Sequence, residues 1–351
     1  MSTGFESLSE RERQILANLI DYYIHSADPV GSRVIANKFK MGLSSATIRN
    51  TLQDLEELGL VEQPHTSAGR VPTDRGYRVY VDYLLKPERL NAAEELAIRQ
   101  TILKEGRGIN EILGQTAKLL GDITMQLGVT LAPKFEEAKL KNVRLIPISD
   151  GRVMVVVITS SGLVRSVILE IETNLSDMSL NEVESVLNER LSDLSLANIR
   201  DSISKRMEGL TGNARLIKLV IDSKDKIWTE DRSDEIHFAG TDKLLRAPEF
   251  ADRDRLSKLI KLLEDGKILS EFLNHASDEG LFITIGRENR ISEIINCSVV
   301  TSTYRVGSIT GTIGVIGPTR MPYSKLVSVV EYTARSISEV LAGIGENRNS
   351  E

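Results

Sequence analysis

Ser45, Ala46, Thr47, Arg49, Asn50 and Gln53 lie close together in the chain, and their side chains are the kinds that read the edges of base pairs. Asn and Gln can bond adenine through two hydrogen bonds, Arg can do the same with guanine, and the methyls of Ala and Thr can pack against thymine. No acid occurs from Ser44 to Gln53, whereas Asp54, Glu56 and Glu57 follow at once. Only the leading half of this stretch could therefore approach phosphates. A second group, His65, Thr66, Ser67 and Arg70, lies in a run of small polar residues flanked by Pro64 and Pro72. Gly69 marks a tight bend there, and the shape suits a hairpin tip gripping phosphate or a minor groove. Arg75 and Arg78 follow as further candidate phosphate contacts.

Other chemistry does not assemble. The four histidines, His25, His65, His237 and His275, lack metal-ligand spacing. A single cysteine, Cys297, excludes a disulfide framework and a thiolate zinc site. Its apolar neighbours Ile294, Ile295, Val299 and Val300 point to a buried structural thiol. The glycines from Gly311 to Gly317 match neither the dinucleotide fingerprint nor a P-loop. No nucleophile pairs with a base. The reading is a protein that is not an enzyme and takes no cofactor and no metal.

The candidate residues need elements to hold them. Ser9 and Glu12 have capping-box spacing, and behind them Ile15, Leu16, Leu19, Ile20, Tyr23 and Ile24 form one apolar helical face. Asp28-Pro29 is expected to end that helix. Ser32 is expected to cap a second, with Val34, Ile35 and Phe39 inward. Ser44 and Ser45 open a third, reaching about Leu58 before Gly59. In this third helix Ser44, Ile48, Leu52 and Leu55 are expected to face the core, and Ala46, Asn50 and Gln53 the solvent. Leu60 to Glu62 reads as a strand entering the hairpin, and Thr73 as the cap of a further helix. Three helices and a hairpin make a winged helix-turn-helix, whose third helix would enter the major groove.

The chain has 351 residues, with 44 Lys+Arg against 50 Asp+Glu and a formal net charge of −6. Coating of nucleic acid by bulk charge is thus excluded, and a basic surface must be local. From Gly31 to Tyr80 seven basic residues face five acidic ones, an excess suited to specific, dimer-assisted binding. Charged residues between Met1 and Arg13 argue against a signal peptide. The longest apolar stretch, Val153 to Thr159, falls far short of the roughly 20 residues that span a bilayer. A cytoplasmic protein that does not enter the membrane is expected.

Several blocks resemble a known family. Pro29 to Arg33, Ser45 to Asn50, Leu55 to Leu60, and above all His65 to Thr73 followed by Gly76-Tyr77-Arg78 are similar to the HrcA family of bacterial heat-inducible transcription repressors. Gly240-Thr241, Leu244-Leu245, Pro248 to Phe250, and Ile316 to Tyr323 extend the similarity over nearly the whole chain. The resemblance implies a homodimeric repressor of chaperone operons that binds double-stranded DNA at an inverted repeat called CIRCE and is released on heat stress. It also implies a GroEL-type chaperonin as partner. The fold class it implies is α+β: a winged helix, then a GAF-like antiparallel-sheet domain carrying an inserted α/β dimerisation domain.

Read without the resemblance, the remainder gives helices from Ala92 to about Leu127, broken near Gly106 and Gly108. An antiparallel meander follows over Val143–Ile148, Val153–Thr159 and Leu163–Glu172. Helical periodicity returns over Asp177–Arg206, Asn213–Asp222 and Arg253–Glu264, with a short strand at Ile236–Phe238. Strands resume at Leu281–Gly286, Ile294–Thr303 and Ser308–Ile316, and a last helix covers Lys325–Leu341. The expected domain limits are 1–88 for the winged helix, 89–174 and 276–345 for the two parts of the sheet domain, and 175–275 for the insertion. Two rivals remain open: a ligand-sensing regulator with a small-molecule site in the sheet domain, and a winged-helix module that binds protein rather than DNA.

Overall fold

Ser9 and Glu12 form the expected reciprocal cap in a computed structural model that describes residues 8–103, 109–149, 151–171, 177–209, 214–229, 236–275 and 280–347. The Ser9 amide donates to the Glu12 carboxylate at 2.6 Å, and the Glu12 amide donates to the Ser9 hydroxyl. Helix α1 (Glu10–Ser26) buries Ile15, Leu16, Leu19, Ile20 and Ile24, each worth about 1.5–3 kcal/mol on removal from water. It ends ahead of Asp28-Pro29 because Ala27 turns into the left-handed region, with φ at 59°.

Helix α2 (Ser32–Phe39) is capped by Gly31, not Ser32. Helix α3 (Ser45–Glu57) buries Ile48, Thr51, Leu52 and Leu55. Ser44 does not face the core as expected. It is the exposed N-cap, its hydroxyl accepting from the Thr47 amide at 3.1 Å, and Thr51 fills the inward slot. Strands β1 (Val61–Glu62) and β2 (Val71–Pro72) pair antiparallel as the stem of the wing. Helix α4 (Asp74–Val79), capped by Thr73, runs into a π-helical turn at Tyr80–Leu84.

Beyond the wing come α5 (Ala92–Ile102), α6 (Ile109–Thr124) and β3 (Leu127–Leu131). Gly106 and Gly108, expected to separate the two helices, lie outside the described residues. The meander follows as β4 (Leu140–Ser149), β5 (Arg152–Thr159) and β6 (Val164–Glu170), then helices α7 (Asp177–Leu191), α8 (Leu196–Arg206), α9 (Ala214–Asp222) and α10 (Lys224–Trp228). The chain continues through β7 (Ile236–Ala239), α11 (Thr241–Leu244), α12 (Arg253–Glu264), α13 (Gly266–His275), β8 (Leu281–Ile285), β9 (Cys297–Val306), β10 (Ile309–Pro318) and α14 (Tyr323–Asn347).

These strands build two separate larger sheets. One has five antiparallel strands in the order β7-β3-β10-β9-β8, and the other is the meander β4-β5-β6. The chain leaves the five-stranded sheet after Leu131 and rejoins it at Ile236, where β7 pairs with β3. Over that excursion the meander and α7 to α10 share their own core, including Val143, Val155, Leu187, Ile199 and Trp228. Helices α12 and α13 pack instead on the five-stranded sheet, Leu259 and Leu269 meeting Leu127 and Ile316. The limits expected at 174/175 and 275/276 therefore do not follow the sheets. The meander goes with the helices after it, and residues 236–275 go with the larger sheet. The winged helix in turn shares one continuous core with α5, α6 and α14. The chain is thus a mixed helix-and-sheet protein with a winged helix at its N-terminal end.

Candidate nucleic-acid interface

Two serines set the geometry. The Ser32 and Ser45 hydroxyls lie 3.2 Å apart, so the N-termini of α2 and α3 converge, each with a partial positive charge on its free amides. From that point Ala46, Arg49, Asn50 and Gln53 project from α3 as exposed side chains, while Ser45 and Thr47 are half-buried. Thr47 keeps its hydroxyl 2.9 Å from that of Ser44. Gln53 donates to Glu57 at 3.4 Å. The structure thus brings all six residues expected on the reading helix to its outer side or its leading turn, and no other part of the described chain is hydrogen-bonded to Ala46, Arg49 or Asn50. Arg33 on α2, exposed beside Ser32, is a further candidate that the sequence pattern did not single out. Its signal was the position itself, because the helix before a recognition helix crosses the phosphate backbone.

The wing is closed by Gln63, whose amide donates to the Thr66 and Ala68 carbonyls at 3.0 and 2.9 Å. His65, Thr66 and Ser67 are exposed at its tip. Gly69 is required because a Cβ there would run into the backbone of Val30, to which Arg70 pairs through two backbone bonds of 2.9 Å. Arg70 consequently sits at the base of the wing and not at its tip. Its guanidinium pairs with Glu56 at 2.8 Å.

The two arginines of α4 are placed differently from the reading helix. Thr73 donates its hydroxyl to the Gly59 carbonyl at 2.7 Å, fixing the start of α4 at the far end of α3. Arg75 is exposed there, about 20 Å of helix away from Ser45. Arg78 is not a free phosphate contact. Its Nη1 donates to Asp82 at 3.0 Å, its Nη2 to the Ile283 carbonyl at 2.6 Å, and its Nε to Glu288 at 2.9 Å, with a second bond from Nη2 to the same carboxylate. Burial works against its charge, but the bonds to Glu288 and Asp82 outweigh this and raise its pKa. The correction has a simple cause: the acceptors that claim Arg78 come mostly from residues some 200 positions later in the chain, which folding alone brings near.

A large cavity, about 1330 Å³, opens where this arginine sits. It is lined by Val81 and Leu85 after α4, Phe272 of α13, and Leu281 and Ile283 of β8. No helix among the described residues is long and apolar enough to cross a membrane.

Comparison with known proteins agrees with this geometry. Residues 7–82 match the family model described as the winged helix-turn-helix transcription repressor HrcA DNA-binding domain, and residues 110–327 match the HrcA protein C-terminal domain. The heat-inducible transcription repressor HrcA of Ruminiclostridium cellulolyticum is 37% identical over 345 residues, covering 97% of this chain and 99% of that one. Its counterpart in Pelotomaculum thermopropionicum is 36% identical over 340 residues, covering 96% and 98%. A solved structure of a hypothetical protein, 24% identical, superposes with a TM-score of 0.63 over 96% of this chain and 99% of that one, which supports the fold. The chain belongs to the HrcA family, a family of heat-inducible, DNA-binding transcription repressors and not of enzymes.

Proposed function

We propose that the chain represses as a homodimer bound to the inverted repeat CIRCE, each protomer reading one half-site. Ala46, Arg49, Asn50 and Gln53 face base edges, with Ser45 and Thr47 at the entry to the groove. His65, Thr66 and Ser67 follow the adjacent backbone or minor groove, Arg33 takes a phosphate beside the converging helix ends, and Arg70 contributes from the wing base only in part. Arg75 reaches flanking phosphate at most, and Arg78 none while its acceptors hold it. The observation that carries this reading is the exposure of the acid-free leading half of α3. That is the half helix-turn-helix proteins insert into the major groove.

The dimer contact falls on the outer face of the meander. Ile146, Met154 and Ile168 lie side by side across β4, β5 and β6, next to Val156, Ile158 and Val164. Ile146, Val164 and Ile168 are 43%, 57% and 47% exposed, an apolar patch of the kind that marks an interaction site. We take residues 132–235 as the inserted dimerising unit, and the five-stranded sheet with its helices as the GAF-like domain. A protomer without its partner leaves this patch open to water, which gives a GroEL-type chaperonin an apolar surface to hold. Binding to chromosomal DNA places the protein in the cytoplasm.

The test is a gel shift of the full chain on the inverted repeat and on scrambled duplex, titrated with salt and repeated across the heat-shock range with and without chaperonin. Preferential binding that heat abolishes and chaperonin restores is expected. Equal binding to both duplexes ends the reading. The rival, a small-molecule regulator, has the cavity beside Arg78 as its site, and a ligand that raised the melting temperature there while weakening operator binding would favour it.

A further inference from the structure

The winged helix is clasped to the rest of the chain at two places by charged groups. At the first, Arg78 of α4 reaches Glu288 in the turn after β8 and caps the Ile283 carbonyl on the outer edge of that strand. Glu288 completes the arrangement by accepting from the Ile285 amide at 2.9 Å. The neighbouring Asp74 carboxylate accepts from the Arg287 amide at 3.1 Å. It occupies the space beside Gly286, where φ is +57° and a Cβ would collide with it. At the second place, Arg320 donates to the Ile24 carbonyl at the end of α1 at 2.6 Å and to Glu249 at 2.6 and 3.3 Å. Between the clasps Tyr77 packs on Tyr323 with ring centroids 5.8 Å apart.

The winged helix also shares an apolar core with α5, α6 and α14. Partly buried ion pairs add little net stability over apolar groups of the same size, because desolvation offsets the attraction. What they add is a demand on geometry: the guanidinium of Arg78 satisfies three acceptors at once only in one relative placement of α4 and β8.

We infer that Asp74, Arg78 and Glu288, with Arg320 and Glu249, are positioning residues that fix the winged helix relative to the dimer contact and so set the half-site spacing the operator must have. This rests on the dimer reading above. The distance and angle between two reading helices depend on every joint from α3 to the meander. The joint between the winged helix and the larger sheet carries the two charged clasps, while Leu163 packs against both cores at the joint with the meander.

Glu288 offers a clean test, since it lies outside the winged helix and reaches the DNA-binding part only through Arg78. Full-length wild type and Glu288→Ala are titrated by fluorescence anisotropy on a single half-site and on inverted repeats with the spacer changed by −2 to +2 base pairs. Two base pairs rotate one half-site by roughly 70° about the duplex, at 10–10.5 base pairs per turn, and should cost the wild type about tenfold or more in affinity. In Glu288→Ala the half-site affinity should stay within about twofold and the spacer penalty should fall to a third or less, because a loosened winged helix can follow the displaced half-site. Glu249→Gln, which weakens the second clasp, should flatten the profile in the same direction and serves if Glu288→Ala does not fold.

An unchanged spacing profile in both variants would overturn the inference. So would an equal loss on every duplex, which marks a role in folding alone, or tighter binding to all of them, which marks a clasp that holds the reading helices out of place. A wild type that ignores spacing and binds the repeat no better than the half-site would instead sink the dimer reading.

Discussion

The five-stranded sheet and the meander are both antiparallel, and they differ in what covers them. In the larger sheet β3 is buried at every position, and β10 at every position but one. One face packs on α6 and α14 through Ile313 and Val315, and the other on α12 and α13 through Leu127, Val129 and Ile316. The meander alternates: Val153, Val155 and Val157 of β5 are buried, while Met154, Val156 and Ile158 between them are half-exposed. Alternation is normal for a sheet with one wet face, but that face is usually polar. Here it carries Ile146, Met154, Ile158, Val164 and Ile168 around Arg144 and Ser166, the face that the proposed dimer would cover. On that proposal, stability belongs to the larger sheet and assembly to the meander.

Substitutions should separate the two roles. The largest effect is expected at Gly314, where a side chain would collide with the Val300 carbonyl of the adjacent strand. Gly314→Val should cost more than about 4 kcal/mol and abolish the folded state, as read by circular dichroism and urea unfolding. A wild-type midpoint would mean the larger sheet is not the rigid part of the molecule. Next comes the paired change Ile146→Lys with Ile168→Lys on the meander. It should leave the melting temperature nearly unchanged but yield monomers in sedimentation, with operator affinity falling about 10²- to 10⁴-fold as avidity is lost. A dimer that survives both charges would place the contact elsewhere.

On the DNA side the expected effects are smaller. Arg49→Ala should cost about 1–3 kcal/mol and relax preference at one base position, measured by titration against a set of single-base operator variants. Equal loss on operator and random DNA would remove it from the reading set. The smallest effect is an expected silence. Burial pushes the Cys297 thiol up to about 12, so thiol reagents should leave the native protein unlabelled between pH 7 and 9. The sign follows from a raised pKa: native stability from this group is intact below the ordinary thiol value of about 8.5 and declines as pH rises above it. Rapid labelling at pH 8 would show that the larger sheet opens.

What the sequence made legible was local. Caps at Ser9, Ser44 and Thr73, the stop at Gly59 and the polar side of α3 all depend on residues within a few positions of one another. Ser44 opens α3 and by spacing falls on its apolar face, but its side chain is taken by the cap, which leaves Thr51 for the inward slot. Features with distant partners were not legible. Strand β3 is a short apolar run directly behind a helix, and periodicity cannot tell such a buried strand from the helix's last turn. Its partners lie at Ile236–Ala239 and Thr312–Ile316. The same holds for the sheet partition, because the pattern shows strands without showing which pair. Arg78 looked like a surface arginine because Glu288, the group that holds it, is 210 residues away.

Under the proposed function, the exposed side of α3 carries the sequence reading. This is tested most directly by measuring, at physiological salt, the ratio of affinities for the inverted repeat and for scrambled duplex, in the wild type and in a variant with Arg49→Ala and Asn50→Ala together. A wild-type ratio of about 10³ or more is expected, collapsing toward one in the variant while weak binding to scrambled DNA persists. A variant that keeps the wild-type ratio would contradict it.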